Sequence, residues 1–253
     1  MAEPLPDLTV CVAGCGPPAT TRRFLRAVHD TADHVALDIF LVCRGDRQDL
    51  STLQAEFPEL TILALHSGSY INGAVNRAIA ASRGRYFSVW DDNTVVARGC
   101  LPGLVDFLDE APDAGVAGPK IRDEQGAIQP VARSFPSCFS LLAPAGPQPG
   151  RPVAGWHEYA GGETDWFAGP GITVSRHLLD DIGKIHPGLA LYWPVEFCLR
   201  ARRAGWHVHY LSDAQATGSL AAWQQCLTAG REWWWRRLWE ACLLKATWRF
   251  RKG

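Results

Sequence analysis

Through the first half of the chain, short apolar runs alternate with longer stretches that are apolar on one face only. Leu8 to Ala13, Ala36 to Cys43, Leu60 to Leu65 and Tyr86 to Trp90 are the runs. They are rich in β-branched and aromatic residues and are flanked by turn-forming or charged positions, which predicts buried strands. Between them, Thr20 or Thr21 is placed to cap a helix carrying Phe24, Leu25 and Val28 on one face. A polar helix is expected over about Gln48 to Phe57, stopped by Pro58. A third helix, Asn72 to Ser82, presents Ala74, Ala78 and Ala81 for close packing and ends at Gly84. Strands and helices alternating at this spacing predict a mostly parallel, doubly wound α/β sheet with helices on both faces.

The second half is less regular. Helices are expected at Leu101 to Leu108 and at Arg176 to Ile182, the latter ended by Gly183. Another begins near Pro194 and runs to Ala204, where Gly205 supplies a left-handed cap. Val116 to Gly118 reads as a brief strand and Arg122 to Pro130 as a hairpin turn. Asp165 to Ser175 contains a further strand, and His207 to Leu211 is the last. Pro136 to Pro152, rich in Pro and Gly, is expected to be a surface loop. There is no internal repeat.

The Tyr86 to Trp90 run leads directly into Asp91, Asp92 and Asn93. Open α/β sheets bind ligands beyond the carboxyl ends of their strands, and oxygen-rich side chains suit hard cations. The same triplet also suits a simple turn closing the strand. The triplet alone leaves both readings open.

Composition narrows the field. The 253 residues fit one large domain with or without an appendage, and 47% hydrophobic content is ample for a core. A net charge of −1 argues against a nucleic-acid partner. The first ten residues lack a basic, then apolar, leader pattern, so no signal peptide is expected. No run reaches the roughly 18 apolar residues of a membrane span. The eight cysteines form no CxxC pair, which reads as reduced thiols in a cytoplasmic protein. Eleven Trp stand against one Met, with the Trp crowded towards the C-terminus.

Four segments in order, NRAIAASRGRYFSVWDDNTVV, GVAGPKIRDEQGAIQPVARSFPS, DWFAGPGITVSRHLLDDIGKI and FCLRARRAGW, resemble family 2 glycosyltransferases of the GT-A fold, in their rhamnosyltransferase-like branch. The resemblance covers roughly Leu8 to Ser219. It implies a nucleotide-diphosphate sugar lying across the first strands, with Ala13, Cys43, Asp46, Asn76 and Asp91 at the nucleotide. It implies Mn2+ or Mg2+ held by Asp91, Asp92 and Asn93, giving Lewis-acid help to the leaving diphosphate. A carboxylate would deprotonate the acceptor hydroxyl, with inversion at the anomeric carbon. Asp165 and Trp166 would meet a cell-envelope glycan or similar acceptor, although the same pair reads equally as a turn residue and a core aromatic.

The chain departs from that pattern at several chemical positions. Cys43 stands where an Asp is expected, Tyr70 and Ile71 replace a Gly-aromatic pair, and Asn93 takes the last place of the triplet. Pro194 or Val195 occupies the place of the base, leaving Glu196 as the surviving acidic residue. Glu196 is also spaced to pair with Arg200 on one helix face. No His follows the last expected strand, and His207 and His209 come too early, as structural residues. Two functions follow: an active glycosyltransferase, or a pseudo-glycosyltransferase serving as a binding or scaffold subunit.

Two units are expected: a GT-A domain over residues 1–220 and a Trp- and Arg-rich amphipathic helix over residues 221–253. Trp234, Trp235, Leu238, Trp239, Cys242 and Ala246 would share an apolar face. That face suits either a membrane surface, placing the protein at the inner face of the membrane, or a protein partner, or packing on its own domain.

Overall fold

The computed structural model describes residues 5–14, 16–44, 50–65, 71–136, 151–153 and 160–228. The elements alternate as expected: β1 (Leu8–Gly14), α1 (Pro18–Thr31), β2 (Leu37–Arg44), α2 (Leu50–Glu56), β3 (Thr61–Leu65), α3 (Ile71–Ala81) and β4 (Tyr86–Asp91). Then come β5 (Val95–Val96), α4 (Cys100–Glu110), β6 (Ala114–Arg122), β7 (Ala132–Arg133), β8 (Gly162–Glu163), β9 (Trp166–Phe167) and β10 (Ile172–Ser175). The described part closes with α5 (Arg176–Ile182), α6 (Trp193–Arg203), β11 (His207–Thr217) and α7 (Leu220–Thr228).

The main sheet runs in the order β3-β2-β1-β4-β10-β6-β11-β5, with β8 added on β11. β1, β2, β3 and β4 are parallel, and so are β6 and β11. β10 lies antiparallel between β4 and β6, so β4 and β6 point the same way. The carboxyl ends of β1, β2, β4 and β6 therefore share one edge. β7 and β9 form a separate small ribbon.

The apolar runs are interior because both sheet faces are covered. Every residue of β1 and β4 is buried. Trp90 on β4 meets Phe24 of α1 at 6.1 Å between ring centres. α1 carries Phe24, Leu25 and Val28 inward, as the periodicity predicts. Gly205 adopts the left-handed conformation expected after α6, and Gly183 ends α5 as expected, also at positive φ.

Four local expectations are corrected. α1 starts at Pro18, and no side chain caps its first turn; Thr21 instead hydrogen-bonds Asp92. β6 runs nine residues, not a brief strand. Its Gly118 resembles turn punctuation, yet the bare backbone there makes room for the Phe167 ring. β11 continues to Thr217 through an irregularity between Leu211 and Gln215, so the polar stretch after Leu211 is mostly strand. Finally, Cys226 is disulfide-bonded, whereas Cys11, Cys43, Cys100 and Cys198 are free and buried, as the expectation of reduced thiols requires.

The core continues beyond residue 220: Trp223 and Cys226 of α7 are buried with the residues of β1. The expected loop between Pro136 and Pro152 lies mostly outside the described residues, as does the Trp- and Arg-rich segment from 229 onward. Among the described residues, no helix is long and apolar enough to cross a membrane.

Candidate functional site

The strand register gathers Ala13, Cys43 and Asp91 at the carboxyl edge of the sheet. Ala13 is level with Asp91 on one side and Val42 on the other, and Gly14 is level with Cys43. This edge, where β1 parts from β2 and β4, is the position at which such sheets hold ligands. Asp46 lies outside the described residues.

Asp91, Asp92 and Asn93 are adjacent in sequence but differ in situation. Asp91 is buried, and its Oδ1 accepts hydrogen bonds from the Asn93 N–H (2.8 Å) and the Thr94 hydroxyl (3.1 Å). Its Oδ2 is buried with no hydrogen-bond partner. Desolvation pushes this carboxyl up to about 7, against the downward pull of the Asn93 and Thr94 bonds.

Asp92 is fully buried and committed elsewhere. It accepts the Thr21 hydroxyl at 2.6 Å and the Gly16 N–H at 3.1 Å. The Thr20 hydroxyl is 3.4 Å away. Since α1 has no side-chain cap of its own, Asp92 fills that need from 71 residues away, placing a carboxylate at the positive end of the helix. The metal role expected of Asp92 would thus fall to a carboxylate whose oxygens already accept these bonds. Asn93 is only half-buried, and a Cβ on Gly16 would lie 3.4 Å from its Oδ1, so its amide borders the loop after β1.

A divalent cation would therefore meet Asp91 Oδ2, an open buried oxygen, and Asn93 Oδ1, an uncharged one. Such a pair fits an ion held weakly, with its other oxygens supplied by diphosphate and water. Among the described residues, no three His, Cys, Asp or Glu side chains converge to form a stronger site.

Asn76 is held by the chain that follows α5. Its Nδ2 donates to the Ile185 carbonyl at 2.8 Å, while Asn72 donates to the carbonyls of His186 (3.0 Å) and Leu189 (2.8 Å). Together they clasp α3 to the loop before α6. In this structure Asn76, expected at the nucleotide, spends its N–H on that clasp. The same loop is held from its other side by Arg200, which donates to the carbonyls of Ile182 (2.5 Å) and Lys184 (2.9 Å).

Arg200 also takes both oxygens of Glu196, at 2.7 and 3.0 Å. The pair is nearly buried, with side-chain exposures of 11% and 8%. The expected helical pairing is thus present, and the carboxylate expected to act as base is occupied by a guanidinium.

Trp166 is 1% exposed and donates its indole N–H to the Ser134 carbonyl. Its ring is part of the buried core, which is the core-aromatic alternative of the sequence reading. Asp165 is half-buried and accepts the Phe135 N–H at 2.7 Å. His209 packs on Phe107 and His207 on Glu163, as structural residues. Sequence reading missed the anchoring roles of Thr21, Gly16 and Asn72, whose partners are all distant in the chain.

A mixed α/β sheet with an acidic turn closing β4 defines the GT-A class of nucleotide-sugar folds, and the comparisons agree. Over 86% of this chain and 44% of the other, it superposes on a crystal structure of GalNAc-T7 with UDP, GalNAc and Mn2+, with a TM-score of 0.65 and 15% identity. On S. aureus TarS the TM-score is 0.61, with 14% identity over 84% of this chain and 36% of the other.

Residues 6–237 match the family described as Glycosyltransferase like family 2, and the chain belongs to it. The chain is 27% identical over 179 residues to the N-acetylglucosaminyl-diphospho-decaprenol L-rhamnosyltransferase of Mycobacterium tuberculosis. That match covers 63% of this chain and 58% of the relative.

Proposed function

We propose that the chain binds a nucleoside-diphosphate sugar across the carboxyl ends of β1, β2 and β4 and transfers the sugar, with inversion, to a hydroxyl of a cell-envelope glycan. The observation that carries this reading is Asp91, a buried carboxylate with one open oxygen at the ligand-binding edge of a family 2 chain. Asp91 and Asn93 would hold Mn2+ or Mg2+, which supplies Lewis-acid charge for the departing diphosphate. Asp92 fixes the loop after β1 against β4, and so shapes the donor pocket without touching the metal. Asp165 remains the acceptor-side carboxylate. The relative's name supports a lipid-linked sugar as the acceptor class.

One observation favours the second reading, a donor-binding subunit without catalysis. Both oxygens of Glu196 are engaged by Arg200, so a guanidinium already holds the carboxylate that would have to meet the acceptor hydroxyl. General-base catalysis contributes about 10²–10⁴-fold, which is roughly 3–5 kcal/mol of barrier. The two readings separate in a transfer assay with nucleotide-sugar donors and polyprenyl-diphosphate-linked N-acetylglucosamine. Glycan extension supports the enzyme. Donor binding without extension or donor hydrolysis supports the subunit.

A further inference from the structure

The carboxyl edge carries a cation that the sequence reading left in an irregular segment. Lys120 is 2% exposed, on β6. Its position relative to Asp91 follows from the sheet register. Ser88, Thr173 and Ala117 form one row across β4, β10 and β6. The Ser88 and Thr173 hydroxyls meet at 2.7 Å, so these side chains share a face. Counting three residues towards the carboxyl edge brings β4 to Asp91 and β6 to Lys120. Three steps along a strand reverse the face, so Asp91 and Lys120 lie level with each other on the same, opposite face.

Between them the sheet has a notch. β10 begins at Ile172, one row short of Gly171 and two short of the Asp91–Lys120 row. At Gly171 the chain turns through a left-handed φ of +85°, squeezed by Trp90 and Pro119, where a Cβ would lie 2.7 Å from each. Two strand spacings separate the backbones of Asp91 and Lys120 by roughly 10 Å.

The charges at this edge are unbalanced for a metal alone. Asp92 is consumed by Gly16 and Thr21, and Asn93 brings no charge. A diphosphate placed here needs positive charge beyond what a weakly held ion supplies. A lysine ammonium is a compact charge suited to phosphate oxygens, and in a water-poor pocket its attraction is strong.

We propose that Lys120 is a donor-binding residue that contacts the diphosphate across the notch from Asp91 and stabilises the charge of the departing nucleoside diphosphate. The proposal rests on the donor-site reading above and assigns that site a fixed protein cation.

Titration calorimetry without metal tests it, using UDP, dTDP and GDP beside the matching monophosphates. Wild-type protein should bind one diphosphate more tightly than its monophosphate. K120M and K120Q should lower diphosphate affinity roughly 10- to 100-fold, as for loss of a charged hydrogen bond, and leave the monophosphate unchanged. K120R should keep the preference. Unchanged diphosphate preference in K120M and K120Q overturns the proposal while leaving the donor site standing. No binding of any nucleotide by wild-type protein, with or without Mn2+, removes the donor-site reading itself. A readout on wild-type protein does not depend on the neutral variants folding. In protein labelled with 13C at lysine Cε, the signal absent from K120R should move with diphosphate and stay still with monophosphate. A signal that ignores both also overturns the proposal.

Discussion

Asp91→Asn isolates the electrostatic state of the site. Burial moves the Asp91 carboxyl from the usual 3.8 to about 7. The folded state therefore prefers the protonated carboxyl by on the order of 4 kcal/mol. Between pH 4 and 7 the folded protein keeps a proton that the unfolded chain has lost. This contribution to stability therefore falls as pH rises through that window and is level above it. Asparagine has the shape of the protonated form and keeps an oxygen for Asn93 N–H and Thr94, but it does not titrate. The variant should be close to wild type in stability below about pH 4 and ahead of it by roughly 1.5 kcal/mol at pH 5. Between pH 5 and pH 8 it should gain roughly a further 2–3 kcal/mol on wild type, about 4–12 °C in melting temperature for a chain of this length. Urea and thermal unfolding of both proteins at pH 5, 6, 7 and 8 measure the difference directly, and other titrating groups cancel between them. At pH 8, Mn2+ should raise the stability of wild type and not of the variant, because an ion bound to the folded state stabilises it by mass action. Parallel stability curves for the two proteins across this range would refute the assignment of a titrating, desolvated carboxyl to Asp91.

Other substitutions test the roles of neighbouring residues. Asp92→Ala removes the clamp between β4 and the start of α1 and should cost about 2–4 kcal/mol in urea unfolding, since it leaves buried donors unpaired. Glu196→Ala breaks a nearly buried ion pair and should cost about 3–5 kcal/mol of stability, while nucleotide affinity by calorimetry stays at the wild-type value. Trp166→Ala should lower stability by roughly 3–5 kcal/mol, as for a core aromatic; a variant of normal stability that had lost only acceptor affinity would contradict the core assignment.

The parallel half of the fold was legible because each of its strands is a contiguous apolar run, and each helix between them has an unambiguous face. β6 was not, because GVAGPKIR places Gly and Pro inside a strand. Those residues answer a packing demand from Phe167, Trp90 and the Gly171 turn, and this demand exists only in three dimensions. The carboxyl edge was readable as a location, since strand ends and an Asp-Asp-Asn triplet mark it. The division of labour inside the triplet was not. Asp91 and Asp92 are indistinguishable in sequence, and what separates them is Thr21 and Gly16, more than seventy residues away. Asn72 and Asn76 likewise read as polar positions of a helix, while their carbonyl partners lie more than a hundred residues on. Trp166 shows the limit of residue type as a guide, because an indole beside a carboxylate suits a sugar and a core equally well.

The central claim is that the carboxyl edge of β1, β2 and β4 receives a nucleoside diphosphate at Asp91. Calorimetric titration of the folded protein with UDP, dTDP and GDP, with and without Mn2+, tests it most directly. The account predicts that one of the three binds, more tightly with Mn2+, and that the metal-dependent gain disappears in Asp91→Ala. Absence of binding for all three at millimolar concentration, in protein that unfolds cooperatively, would contradict it.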